Sequence, residues 1–352
     1  MNSNKIILLL TLILFLYAIS LSAVSAVDTQ SFTELQKKVD NTNNGDILYL
    51  NGESYYQYLG GESIQINKNI NINGASKENS NIIATIEGNS KCSIFKINSG
   101  VSASFTNINF IKGQGENGGA IHAQNNCEIT IDNCCFNNNK ANNQGGAVYV
   151  CDNSHLSISN SIFISNQADK GGAVYCAKNT DLNIEESAFS LNIAKDKGGA
   201  IFMDKYCNLH VNNCTFNINA ANQGGVIYSS DNCKGIVEKS NFYNNTYTSK
   251  VKDVALDCFA GGALFGAVIG IIKGACIEAI VEVVALAVTG YAALFALLIG
   301  VGLAIIGGLI AWFKYGSSEG SVLCASKSGS ITFKDCHWDG KYIDGVFTKV
   351  GT

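Results

Sequence analysis

The stretch that decides the fold is residues 118–136, GGAIHAQNNCEITIDNCCF, because the same unit returns several times down the chain. Glycine pairs recur at spacings of 27, 26, 27 and 26 residues, at Gly118-Gly119, Gly145-Gly146, Gly171-Gly172, Gly198-Gly199 and Gly224-Gly225. Phenylalanines keep the same period at Phe110, Phe136, Phe163, Phe189, Phe216 and Phe242. A unit of this length cannot bury its own apolar face, so a fixed period predicts units stacked on one another.

Each unit contains two short stretches with β-strand patterns. The first follows the glycine pair, as in Ala147-Val148-Tyr149, and the second alternates aliphatic and polar residues, as in Leu156-Ser157-Ile158. Alternation places the aliphatic side chains on one face, and we place the periodic phenylalanine inside, stacked on its copies. We therefore predict an all-β fold: a right-handed, single-stranded parallel β-helix with two or three strands per coil of 26–27 residues.

Asparagines follow the phenylalanines from Phe136 onward at a distance of three residues, at Asn139, Asn166, Asn192, Asn219 and Asn245. Stacked units would place these side chains in one column. We interpret the column as a structural ladder of side-chain hydrogen bonds at a turn.

The start of the chain, residues 1–26, resembles a secretory signal peptide. It has an early lysine, a mostly apolar run and a small-residue cleavage site, Val24-Ser25-Ala26. An uncleaved anchor is the alternative. Either interpretation predicts that residues 27–258, assigned to the β-helix with its N-terminal cap, are exported.

A short amphipathic helix is predicted to form the cap. In the segment TQSFTELQKKVD, residues 29–40, Ser31 and Glu34 have the spacing of a capping box, and the apolar residues fall at helical intervals. Such a helix would cover the first open edge of the β structure, which would otherwise invite pairing with another strand.

The pairing of Gly-Gly-Ala-[Ile/Leu/Val] with Phe-x-x-Asn resembles the repeats of chlamydial polymorphic outer-membrane proteins. It is more similar still to the adhesin-like right-handed β-helix proteins of methanogenic archaea. The opening, FTELQKKVD…GDILYLNGESY…IQINKNININGAS, resembles their cap. The resemblance covers about residues 30–258. It implies the β-helix fold and, through architecture alone, an adhesin-like role at the cell surface.

The repeat breaks after residue 250, and an apolar segment follows. We predict that residues 259–316 form an α-helical transmembrane hairpin inserted in the last coil, where the segment has room for two crossings of about 20 residues each. Residues 252–258 would form the first strand of that coil and residues 331–338, within the final part 317–352, the second. A single crossing near residues 287–313 is the alternative.

Small residues recur in the insert at every fourth position and would let two membrane helices approach closely. They are Gly262, Gly266, Gly270, Gly274, Ala292, Ala296, Gly300, Ala304 and Gly308. The charged residues Lys273, Glu278 and Glu282 are interpreted as the wet turn of the hairpin. Placed at depth in the membrane, they would instead indicate a pore or an oligomer.

Candidate ligand-binding residues lie in the first strand of each unit, at the outward position beside the aliphatic residue. Tyr149, Tyr175, Phe202 and Tyr228 occupy it, preceded by His122. Two interpretations are open. The rings form an exposed stripe that stacks on sugar rings or on the surface of a partner protein. Alternatively, they form an aromatic ladder that only stabilises neighbouring coils. The ladder is the interpretation we prefer.

Cysteines and glycosylation sequons complete the candidates. Cys207 and Cys233 are 26 residues apart, hence neighbours on adjacent coils and within disulfide range. Cys258 and Cys324 flank the insert and form a second candidate pair. Asn213 and Asn244 begin glycosylation sequons, of which the second is expected to be the more exposed. A further column of small residues, holding Cys134, Cys214 and Cys336 together with serines, is assigned to a buried corner.

Composition and residue spacing argue against nucleic-acid binding, metal or cofactor sites, and catalysis. The chain has a net charge of −4 and no arginine, which gives no basic surface for nucleic acid. No Cys-x-x-Cys pair occurs, so a zinc site is not expected. We expect no other metal and no cofactor. Catalysis is not expected either, because Asp132 corresponds to Ser159 in the next unit and not to a second acid.

The sequence thus predicts an exported cell-surface protein, anchored in the cytoplasmic membrane and adhesin-like. Its partners would be membrane lipid and the glycans or proteins of other cells or of the envelope, and its membrane helices could form a homo-oligomer. Two alternatives stay open. One is a membrane-active or oligomerising protein that uses the glycine-patterned hairpin, and the other is a polysaccharide lyase or hydrolase built on a β-helix.

Overall fold

A computed structural model describes residues 29–57, 62–243, 245–247, 323–325, 328–338 and 347–350 of the chain. The described chain is a parallel β-solenoid, in which each strand pairs with the equivalent strand of the next coil. Each regular coil supplies one strand to each of four parallel sheets, which we call sheets I to IV in the order in which a regular coil enters them after its glycine pair. The coil therefore has four strands, not the two or three predicted. Its right-handed sense stays a prediction.

Sheet I has eight strands and follows the glycine pairs. Its strands are Ile64–Ile66, Phe95–Ile97, Ile121–Ala123, Val148–Val150, Val174–Cys176, Ile201–Met203, Ile227–Ser229 and Leu323–Ala325.

Sheet II has ten strands, five residues long in the regular coils. They are Ile47–Tyr49, Ile70–Asn73, Ser102–Thr106, Glu128–Asp132, His155–Ser159, Asp181–Glu185, Asn208–Asn212, Lys234–Glu238, Ser330–Lys334 and Phe347–Val350.

Sheet III also has ten strands and carries the periodic phenylalanines. They are Thr29–Ser31, Ser54–Tyr56, Ala84–Glu87, Ile108–Ile111, Cys135–Asn137, Ile162–Ile164, Ala188–Ser190, Thr215–Asn217, Asn241–Tyr243 and His337–Trp338.

Sheet IV has six strands and was not predicted. They are Gln114–Asn117, Lys140–Gln144, Gln167–Lys170, Ile193–Lys197, Ala220–Ala221 and Thr246–Tyr247.

The predicted cap is confirmed as helix α1, Phe32–Asn41. Ser31 is its N-cap and accepts a hydrogen bond from the N–H of Glu34, whose carboxylate in turn accepts the N–H of Ser31. The helix buries Phe32, Leu35 and Val39 against the first coil. The Gln36 side chain pairs with both backbone groups of Gln65, so the helix is fixed to the first strand of sheet I.

The core is the column of phenylalanines, as predicted. Consecutive rings from Phe110 to Phe242 stack with centroids 4.5 to 5.1 Å apart and planes within 16° of parallel. All six side chains are buried. Burial of one such ring contributes roughly 1.5–3 kcal/mol, so this column is a large part of what holds successive coils together.

The glycine pairs form the corner between sheets IV and I. Gly145 has φ +65°, and a Cβ there would lie 2.3 Å from the carbonyl oxygen of Val148. A Cβ on Gly146 would lie 2.0 Å from the carbonyl oxygen of Gly172 in the next coil. Neither clash can be relieved by a side-chain rotation, because backbone meets backbone at both places. The repeated Gly-Gly is therefore a requirement of coil stacking.

The position of the apolar segment corrects a prediction. The last coil enters sheet I at Leu323–Ala325, which pairs with Ile227–Ser229, so residues 252–258 do not supply that strand. The segment between Tyr247 and Leu323 is inserted between two coils, at the corner between sheets IV and I, and does not split the last coil. The sequence did contain the signal, because Leu323 precedes Trp338 by 15 residues, as Val174 precedes Phe189.

Several predictions fall outside the described residues. They are the signal peptide 1–26, the insert 259–316 with its small residues, Cys258 and Asn244. Among the residues that the structure does describe, no helix has the length and apolarity needed to span a membrane.

Candidate functional site

The aromatic column on sheet I is assembled as predicted. His122, Tyr149, Tyr175, Phe202 and Tyr228 are in register on consecutive strands, and Cys324 follows them on the last. The three ring pairs from Tyr149 to Tyr228 stack with centroids 4.8 to 5.2 Å apart and planes within 22° of parallel. His122 meets the first ring edge-on at 5.1 Å.

This column is not the exposed stripe of the first interpretation. Tyr175 and Phe202 are only 5% and 4% exposed, and each has a neighbouring ring on both faces. A sugar that stacks on an aromatic ring needs an open ring face. The geometry therefore favours the ladder interpretation, in which the rings hold adjacent coils together. Ligand binding by these four residues stays a prediction.

Two lysines at the ends of sheet IV strands extend across the corner to this ladder. The Nζ of Lys170 lies 5.7 Å from the ring centroid of Phe202. The Nζ of Lys197 lies 4.6 Å from the centroid of Tyr228 and 3.3 Å from its hydroxyl. These cation–π contacts cover the outer side of the ladder.

Sheet II offers a different surface, because its inner positions are constant and its outer positions vary. The inner residues of four consecutive strands are Ile129, Leu156, Leu182 and Leu209, then Ile131, Ile158, Ile184 and Val211. The outer residues at the start of each strand are Glu128, His155, Asp181, Asn208 and Lys234, all exposed. In the fifth strand Gly235 stands at the first inner position and Val237 at the second. The second inner position is therefore aliphatic in all five strands, whereas the outer position changes in charge and type.

The outer side chains of sheet II form hydrogen bonds from coil to coil. Asn208 Nδ2 donates to Asp181 Oδ1 at 2.7 Å. The His210 ring nitrogens lie 2.8 Å from Asn183 Oδ1 and 3.6 Å from Glu238 Oε1. These contacts order the side chains of a flat polar face.

In each column of in-register outer residues on sheet II, a residue without a carboxylate separates one carboxylate from the next. Ser159 donates to Asp132 Oδ1 at 2.7 Å, in the register that the sequence predicted. The in-register neighbours of Asp181 are His155 and Asn208. Within the described part of the chain, no cluster of three or more His, Cys, Asp or Glu residues is placed to hold a metal ion.

Cys207 and Cys233 are on adjacent coils, as predicted, and both are free cysteines in this structure. A disulfide between them stays a prediction. Both are fully buried. Cys207 donates to the carbonyl oxygen of Ala177 at 3.0 Å and Cys233 to that of Asp204 at 2.8 Å. The neighbouring Cys233 thiol, together with burial, raises the pKa of Cys207. Cys324 lies in register with Tyr228, and its candidate partner lies outside the described residues.

The buried corner column between sheets II and III is confirmed. Cys134, Ser161, Ser187, Cys214 and Ser240 are all buried there, whereas Cys336 of the same column is half-buried. The Cys214 N–H donates to Ser240 Oγ at 3.1 Å. Burial raises the pKa of Cys214 to about 12. The sequon residue directly before it, Asn213, is exposed at a turn with φ +53°.

The repeat itself matches a known family. Residues 133–151 and 160–177 match the family model described as Chlamydia polymorphic membrane protein (Chlamydia_PMP) repeat. Each match runs from the turn before sheet III, through the phenylalanine and the glycine pair, to sheet I. Comparison with curated proteins and with solved structures gives no match. In its repeats the chain is a β-helix protein similar to the polymorphic membrane proteins, a family that suggests an outer-surface or membrane-associated protein.

Proposed function

We propose that this chain is an adhesin-like surface protein whose sheet II face binds glycans or proteins of other cells or of the envelope, without a catalytic step. The protein is exported, and residues 259–316 anchor it in the cytoplasmic membrane, where lipid is their partner and where they allow a homo-oligomer. The repeat family and the parallel β-helix support a surface role. Function on such a fold must come from its surface residues, since the fold itself carries none.

The observation that carries this proposal is the contrast between the two faces of sheet II. Its inner positions repeat because they are packed, whereas its outer positions change between acid, base and amide from one coil to the next. The face is ten strands long, and its strands have three to five residues. At about 3.3 Å per residue and 4.8 Å per strand, it presents on the order of 700 Å². One partner in a standard-size interface buries about 800 Å².

The chemistry of this face suits polar partners. The first outer column presents a carboxylate, an imidazole, a carboxylate, an amide and an ammonium in turn, at Glu128, His155, Asp181, Asn208 and Lys234. Hydrogen-bonding groups at fixed spacing on a rigid rod give orientation and specificity, because their positions are set by the stacked coils beneath.

The test is binding of the purified full-length chain, displayed on beads, to intact cells. A variant with His155→Ala, Asp181→Ala and Asn208→Ala should lose binding at least tenfold. A matched variant at exposed turn residues, Lys178→Ala with Lys205→Ala, should bind as the wild type does. Circular dichroism of all three proteins checks that they fold alike. Equal binding by both variants would contradict the proposal.

A further inference from the structure

The outward face of sheet II divides its charges between two groups of strands. Carboxylates stand at both ends of the strands Glu128–Asp132 and Asp181–Glu185, which we call the acidic half of the face. Lysines stand on the later strands Lys234–Glu238 and Ser330–Lys334, which we call the lysine half. The face therefore has a direction along the rod axis, from negative to positive.

These charges are held in place but are not neutralised within the protein. Neutral hydroxyl and amide donors fix Asp132 and Asp181 by hydrogen bonds. None of the four carboxylates of the acidic half, and neither lysine of the lysine half, forms a salt bridge with a described residue. The Glu238 carboxylate, which lies in the lysine half, faces the His210 ring at 3.6 Å. The uncompensated charges are therefore free to attract a partner of complementary pattern.

A second copy of the same face matches this pattern in one orientation. When two copies pack face to face with antiparallel rod axes, each acidic half lies opposite the lysine half of the other copy. Parallel axes without an axial shift would place each acidic half against its own copy, where like charges repel. A parallel pair shifted along the axis would match only one acidic half with one lysine half. The twofold antiparallel arrangement satisfies both halves of both copies.

The shape and size of the face also suit a second copy. Between the two charged columns of the acidic half run Thr130, Ser157 and Asn183, whose short polar side chains keep the surface flat. Flat sheets pack face to face about 10 Å apart. The face presents on the order of 700 Å², and each partner in a standard-size interface buries roughly 800 Å². Packing of two such faces thus approaches the area that a specific complex needs.

We propose that sheet II binds sheet II of a second copy of this chain on a neighbouring cell, with the two rod axes antiparallel. The inference rests on the proposed surface role of this face and names its partner as the same protein. The apolar insert leaves the rod between Tyr247 and Leu323, near its C-terminal end. Antiparallel pairing directs the two C-terminal ends away from each other, as copies anchored in two opposing membranes require.

The experiment measures aggregation of beads that carry the purified full-length chain. Beads coated with the wild type should aggregate with one another. One variant, Glu128→Lys with Asp181→Lys, reverses two charges of the acidic half, and another, Lys234→Glu with Lys334→Glu, reverses both lysines. All four side chains are exposed. Each variant alone should aggregate at least tenfold less than the wild type, because the attraction between the two halves is lost. A mixture of the two variants should aggregate again, since their faces are complementary to each other.

A matched control reverses two lysines outside sheet II. Lys96 on sheet I and Lys140 on sheet IV are both exposed. Lys96→Glu with Lys140→Glu changes the net charge as much as the lysine-half variant does and should leave aggregation unchanged. Equal loss in the control, wild-type beads that stay apart, or a mixture of the two variants that stays apart would overturn the proposal. Binding of the wild type to cells without aggregation of its beads would overturn this inference and leave the proposed function standing.

Discussion

The Oδ1 of Asn166 accepts two hydrogen bonds from Asn139, one from its backbone nitrogen and one from its Nδ2, both at 3.0 Å. The Nδ2 of Asn166 donates in turn to the Phe136 carbonyl at 3.0 Å and to Asn192 Oδ1 at 3.0 Å. Every polar atom of this buried amide is thereby satisfied. The predicted asparagine ladder is confirmed as the polar counterpart of the phenylalanine column.

Asn166→Ala should destabilise the chain strongly. The change removes the acceptor of the Asn139 N–H and of one of the two Asn139 Nδ2 hydrogens, and it removes the side-chain donor to the Phe136 carbonyl, all in a buried site. At about 1–3 kcal/mol per orphaned buried group, we expect a loss on the order of 3–5 kcal/mol. Urea unfolding followed by fluorescence measures it. The control Asn142→Ala, on an exposed asparagine, should cost less than about 1 kcal/mol.

Gly146→Ala tests the contact between coils without a change in backbone conformation. The added Cβ would lie 2.0 Å from the Gly172 oxygen and 2.6 Å from the Gln167 nitrogen. We expect a loss of more than about 3 kcal/mol, because neither backbone group can move without separating the coils. Gly100 has φ +76° and no atom within 4 Å of an added Cβ. Gly100→Ala should therefore cost only the conformational term, about 1–2 kcal/mol. A similar effect at both sites would contradict the close-contact explanation.

Stability should fall in mild alkali because of the buried thiols. Burial raises the pKa of Cys214 to about 12 from an ordinary value of 9.0. The folded state therefore holds its proton at a pH where the unfolded state has released it. The stabilisation of the fold by the protonated Cys214 thiol is fully present below pH 9 and is lost as the pH rises toward 12.

Cys214→Ser is the matched variant, because Ser161, Ser187 and Ser240 occupy the same column. Between pH 8.5 and 10 the wild type should lose about 1 kcal/mol more unfolding free energy than Cys214→Ser. Urea midpoints across that interval measure the difference. Parallel curves for the two proteins would show that the thiol does not titrate on unfolding.

Phe202→Ala should reduce stability and leave binding unchanged. The ring stacks between Tyr175 at 4.8 Å and Tyr228 at 5.1 Å and is nearly buried, so its loss should cost about 3–5 kcal/mol. Tyr206, which is 58% exposed, serves as the control, and Tyr206→Ala should have little effect. Cell binding, measured per folded molecule below the transition temperature, should match the wild type in both variants. Binding lost from a fully folded Phe202→Ala protein would restore the ligand interpretation of the column.

The sequence predicted what depends on period and apolar spacing. Register between units follows from counting residues, so the phenylalanine column, the aromatic ladder and the small-residue corner all lie where the spacing placed them. Helix α1 was predicted because a capping box and an amphipathic pattern are local signals.

The features that the sequence analysis missed have neither a regular period nor a local sequence motif. Strand Lys140–Gln144 in sheet IV reads KANNQ, without alternation of apolar and polar residues, because it is held by backbone pairing to the next coil and buries only Ala141. The register shifts between the strands of sheet IV are a further missed feature, because a bulge is a property of two strands together. The first strand of the last coil was misplaced because Leu323 lacks the complete glycine pair before it.

The insertion site also has a consequence for the order in which the rod forms. Regular coils pair across 26 or 27 residues, as Asn179 does with Asn153 and Asn208 with Asp181. Asn232 in the penultimate coil pairs instead with Ser328, across 96 residues. Closing the longer loop costs about 1 kcal/mol more in chain entropy, and contacts of greater sequence separation form more slowly. The regular coils should therefore form first, and the docking of Leu323–Ala325 should follow as a separate, slower kinetic phase.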